Sequence, residues 1–176
     1  MKRFRATRVR STENTPRAGL LIMLVILLLS PAAQAGIADS PLPTLLAGKK
    51  TLHLYSVAGG LSQIGLETVF ACTSTDTAAQ QVGVERFFQS GGSAGNDAVA
   101  TSVSVGPGHT VTFATEPLNG IPIDSALGGA SFTFSARILS TSKKLICIAY
   151  IADQINAPPS VMMPLTVVAK VKQKGE

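Results

Sequence analysis

From Thr51 almost to its end, the chain alternates apolar and polar residues with a period of two, in short runs that turn residues keep interrupting. Such alternation places successive side chains on opposite faces of a strand, and runs this short leave no room for long helices. "TLHLYSV" sets Leu52, Leu54 and Ser56 against His53 and Tyr55, and "LETVFACTS" follows it. In "QQVGVERFF", Val82 and Val84 share a face with Arg86, while Glu85 and Phe87 take the other. "AVATSVSV", "HTVTFAT", "ASFTFSARILS", "KLICIAYIA" and "MMPLTVVAKVK" complete about eight predicted strands, separated by turns such as Gly106-Pro107-Gly108 and Thr141-Ser142-Lys143. The expectation is an all-β fold, an antiparallel sandwich or barrel.

The residues before the first strand have a different character. Met1 to Arg17 holds six basic residues and one acid, Glu13, and leads into the apolar run "AGLLIMLVILLL". Pro31 and the small-residue site Ala33-Gln34-Ala35 follow, which is the layout of a secretory signal peptide, residues 1–35. The strictly apolar run falls short of the roughly 20 residues that cross a hydrocarbon core. Cleavage after Ala35 is therefore expected, with an uncleaved N-terminal anchor as the alternative. No Cys follows the apolar run to carry a lipid, and no paired arginines mark a folded-export signal. The product would be secreted or periplasmic. Residues 36–50, "GIADSPLPTLLAGKK", form a leader that is loosely ordered or packed on an edge, and 51–176 make the β domain.

Losing the signal segment changes the electrostatics. The full chain has formal net charge +5, but the part from Gly36 onward has nine basic and nine acidic residues. Lys49-Lys50, Lys143-Lys144 and "KVKQKGE" make no basic stripe able to neutralise a row of phosphates, so nucleic acid is not an expected partner. They read as solvated strand ends.

Cys72 lies in phase with Phe70, and Cys147 in phase with Leu145 and Ala149, so both point into the core. An oxidising compartment would favour a structural disulfide between them, closing a loop of about 75 residues and stabilising the fold by roughly 3–5 kcal/mol. The alternative is two buried free thiols acting as small hydrophobes. No C-x-x-C motif supports redox exchange or haem attachment.

"LETVFACTSTDTAAQQVGVERFFQSGG" resembles the first hairpin of many exported bacterial immunoglobulin-like domains. "VGPGHTVTF" is similar to their Pro-Gly turn and following strand, and "SARILSTSKKLICIAYIAD" to their closing hairpin. The resemblance spans about Leu66 to Val171 and implies a single immunoglobulin-like β-sandwich of about seven to eight strands. The pattern departs from antibody-type domains in having no core Trp between the cysteines and Leu145 where a Tyr would precede the second Cys. A likeness of fold transfers no active site.

Gly91-Gly92-Ser93-Ala94-Gly95 fits the G-x-S-x-G elbow of serine hydrolases, but no amphipathic helix follows it and the chain is short for that fold. Ser93 is read as part of a flexible loop, with no catalytic residue assigned. His53, His109, Cys72, Cys147 and Met162-Met163 supply the donor types of a copper site. No His follows Cys147, so the usual single-loop ligand set is missing, and neither metal nor cofactor is expected. Asp76, Glu85, Asp97, Glu116, Asp124 and Asp153 sit mostly at strand ends or in loops, where acids are usually solvated.

The connection Glu116 to Gly129 carries Leu118, Ile121, Ile123 and Leu127, more apolar surface than a free loop needs. It is expected to fold back over an edge, with a docking surface as the alternative. The reading is of an exported, non-catalytic binding or structural module whose partner is another protein or a cell-surface component. Membrane contact would come only through an uncleaved N-terminal segment. The competing reading is a small periplasmic copper-type protein or an enzyme with a site assembled from scattered residues.

Overall fold

Within "LETVFACTS", Phe70, Cys72 and Ser74 are buried on one face, while Ala71 and Thr73 stay partly open on the other. The same logic gives ten strands in a computed structural model that describes residues 41–63, 65–89, 97–128 and 133–170. In order they are β1 (Leu52–Gln63), β2 (Leu66–Ser74), β3 (Gln80–Phe88), β4 (Val103–Val105), β5 (Thr110–Ala114), β6 (Ser125–Ala126), β7 (Thr133–Ser140), β8 (Leu145–Asp153), β9 (Met162–Pro164) and β10 (Val167–Ala169). One helical turn, α1 (Asp97–Ala100), precedes β4. The signal segment, its site at Ala35 and Ser93 lie outside the described residues.

One ladder runs β4-β3-β7-β1-β10, entirely antiparallel. The other runs β6-β5-β2-β8-β9 and is antiparallel except for the β5–β6 pair. The far end of β1 joins them, because Ser62 and Gln63 pair with Glu67 and Leu66 of β2. The main core draws on both ladders: Val57, Val82, Val84, Ala136 and Ile138 from the first, and Phe70, Cys72, Val111, Phe113 and Ala149 from the second. Removing each such Val, Ile or Phe side chain from water contributes about 1.5–3 kcal/mol.

Several strand limits depart from the sequence expectation. β1 continues past Val57 through Gly59-Gly60, a pair that reads as a breaker, because the Phe134 ring packs where a Gly60 side chain would stand. Gly59, at φ +79°, supplies the left-handed backbone at the register shift between Val57 and Gly60. A register shift between His53 and Tyr55 also alters the facing of β1. Leu54 and Tyr55 both pack against the core, while the Ser56 hydroxyl meets His53.

"AVATSVSV" is a strand only over Val103–Val105. Its start coils into α1, and the Ala98 carbonyl occupies the space a Gly83 side chain would fill. Ala98, Leu45 and Leu139 form a small cluster there, so the described part of the leader packs on a sheet face through Leu45. "MMPLTVVAKVK" divides into β9 and β10, on different ladders. Between them Leu165 packs on the core and donates its N–H to the Ala149 carbonyl, so this crossing covers the side between β8 and β1. The connection after β5 folds over the outer face of β2 and β5, where Leu118, Ile121 and Ile123 pack with Val69, Ala114 and Ala152, and it adds β6.

Cys72 and Cys147 form a disulfide with their Cα atoms 4.2 Å apart. They are directly opposed in the β2–β8 ladder, so the bond links two adjacent strands of one ladder. The antibody-type disulfide instead spans two sheets.

Candidate ligand-binding site

Most buried polar side chains are committed to holding strands together. Gln80 donates to the Ser74 hydroxyl and the Lys144 carbonyl and accepts from Ser140, fixing one end of the core. Arg86, 2 % exposed, closes the other end by donating to the carbonyls of Leu127 and Gly128. On the outer face of the first ladder, Arg137 binds Glu85 at 2.7 Å and donates to the Pro41 carbonyl. The Glu67 carboxylate accepts from the Thr115 hydroxyl.

The carboxylates at strand ends are organised as well. Asp153 accepts from the N–H groups of Asn156 and Val161, the Asn156 amide and the Ser160 hydroxyl, and those bonds hold it far below the usual carboxylate range. Asp76 accepts from Ser142, Thr77 and Lys144, and its pKa falls to about 2, chiefly through the Ser142 hydroxyl. These two acids order turns, whereas sequence position alone predicts that they are solvated.

The sulfur and imidazole donors of the copper-type reading occupy different places. Both cysteines are consumed by the disulfide. His109 lines a small cavity of about 130 Å³ with Asp124, and His53 lines a separate, larger groove. Met162 and Met163 stand exposed on β9. Among the described residues, no three His, Cys, Asp or Glu side chains come together as metal ligands.

The larger groove, about 730 Å³, lies where β1 begins and β10 ends. Leu42 of the leader, Leu52 and Leu54 of β1 and Ala169 of β10 provide apolar wall. Lys50, Lys143 and Lys170 also line it, and its described lining contains no acid. Each lysine comes from a different one of the three basic clusters that read as solvated ends. Register brings them together: Leu52 pairs with Ser140 at the end of β7, and Tyr55 with Ala169 near the end of β10. His53 is within hydrogen-bonding distance of the Tyr55 carbonyl (3.1 Å) and the Ser56 hydroxyl (3.0 Å). Burial first, then the charges of Arg137 and Lys170, push its pKa below the ordinary imidazole value.

A second open feature lies on the outer face of β8. Ile146 and Ile148 are 61 % and 58 % exposed, opposite Thr73 and Ala71 of β2. The post-β5 connection covers the Val69–Ala152 half of this face and leaves the Ile146–Ile148 half bare. No family model matches the chain, and no curated protein or solved structure matches it.

Proposed function

We propose that this chain is an exported, non-catalytic binding module of immunoglobulin-like sandwich type, acting in adhesion, surface assembly or protein recognition. The observation that carries the reading is the pair Ile146 and Ile148, which place two branched apolar side chains in solvent. Apolar surface left open beside a region the chain covers with its own loop is typical of contact sites. The assignment of Glu67, Asp76, Glu85 and Asp153 to structural hydrogen bonds points the same way. Export is supported by the signal-like segment and by a disulfide that suits an oxidising compartment.

The test is a photo-crosslinking amino acid placed at Ile146 or Ile148 in the producing cells, with the exposed turn residue Ala78 as control. A discrete adduct from positions 146 and 148, absent at 78, is the expected result. Equal labelling at all three positions, together with stoichiometric metal on the purified protein, would overturn the reading in favour of a carrier or enzyme.

A further inference from the structure

The groove at the start of β1 is lined by side chains of two unlike kinds. Its walls are aliphatic at Leu42, Leu52 and Leu54, and its cations are Lys50, Lys143 and Lys170. All three lysines are exposed, and among the described residues no carboxylate forms an ion pair with any of them. Three like charges gathered around one concavity repel one another and focus a positive potential into it. The Lys170 charge already acts on His53 inside the same groove. A volume of about 730 Å³ falls in the range that takes up one small molecule, roughly 300–1,000 Å³.

We infer that this groove binds a single-chain amphiphile with an anionic head, a fatty-acid carboxylate in its simplest form, with the head among Lys50, Lys143 and Lys170 and the tail along Leu42, Leu52 and Leu54. Ammonium groups suit such a head because they are point charges with rotatable donors and impose no single geometry. A cation or an uncharged chain of equal length gains only the walls. This assignment rests on the reading of the protein as a binding module and names a ligand class for it.

The experiment is calorimetric titration of the disulfide-intact protein with laurate below its micelle concentration, compared with dodecanol, dodecyltrimethylammonium and shorter fatty acids. One laurate is expected per chain, with dodecanol at least tenfold weaker and dodecyltrimethylammonium weaker still. Affinity should fall about threefold to fourfold for each buried methylene removed and decline as salt screens the lysines. The double variant Lys50→Glu/Lys170→Glu should lose at least tenfold in laurate affinity, and its exposed positions leave the core untouched. Equal affinity for laurate and dodecanol, or an undiminished double variant, would overturn the assignment. If that variant does not fold, the comparison of head groups on the unaltered protein decides alone. Mass analysis of the recovered laurate separates the two readings: unchanged laurate keeps the module non-catalytic, whereas bound laurate that is converted keeps the site and removes the non-catalytic reading. Absence of laurate binding removes the site and leaves the β8 surface to be judged by its own crosslinks.

Discussion

Glu85 and Arg137 oppose each other across the β3–β7 ladder, with Nε and Nη2 of the arginine both 2.7 Å from the same carboxylate oxygen. Each side chain is almost wholly buried, beneath a leader whose Pro41 carbonyl takes a further hydrogen bond from Arg137. The Arg137 guanidinium also lies 5.1 Å from the centre of the Phe87 ring. The pair therefore fastens the leader to the first ladder.

Removing one partner strands the other as an unpaired buried charge. Arg137→Met should lower unfolding free energy by about 3–5 kcal/mol. The double variant Glu85→Leu/Arg137→Met should recover much of that, since a packed apolar pair avoids desolvating two ions. Urea denaturation of the three proteins measures both effects. Equal losses in the single and double variants would show that packing around Phe87, and not charge pairing, sets the cost.

The disulfide ties two strands that already share nine opposed residue pairs, from Leu66–Asp153 to Ser74–Leu145. Replacing Cys72 and Cys147 together by Ala should leave the fold intact and reduce its stability by about 3–5 kcal/mol, since a closed loop of about 75 residues restricts the unfolded chain. Denaturation midpoints with and without the bond, alongside amide spectra, test the two halves of this statement.

A side chain at Gly60 would begin 2.5 Å from Cε2 of Phe134, its partner in the β1–β7 ladder. Gly60→Val should therefore cost about 1–3 kcal/mol through overpacking. Adding Phe134→Leu should return part of that loss by making room. Non-additive thermal shifts in the double variant would establish the contact.

Asp76 fastens the β2–β3 turn to the β7–β8 turn through Ser142 and Lys144. Its pKa in the folded protein, about 2, lies below the ordinary value of 3.8, so the folded state favours the ionised form. The resulting stability is complete above pH 4 and drains away as pH falls through about 2. Carboxyl-carbon titration by NMR should give a midpoint near 2 for Asp76. Asp76→Asn should remove this part of the acid dependence and lower stability from pH 5 to 7, where the ionised carboxylate contributes in full.

Local alternation is enough to place β2, β3, β5, β7 and β8, to point Phe70, Cys72 and Cys147 inward, and to set Val82 and Val84 on one shared face, because burial of one face demands a period of two. The apolar connection after β5 was likewise legible as chain that folds back, since its isoleucines had to be covered. Other features depend on partners far away in sequence. Gly59-Gly60 extends a strand because Phe134 fills the missing side chain, and "DAVA" coils because Gly83 leaves space for its backbone. The shift at Tyr55 is a property of pairing with β7 and leaves no mark in "TLHLYSV". The groove is legible least of all. Lys50, Lys143 and Lys170 are separated by much of the chain, and only the register of β1 with β7 and β10 gathers them at one end of the ladder. Period two is written in neighbouring residues, whereas a binding site is made by strands meeting in space.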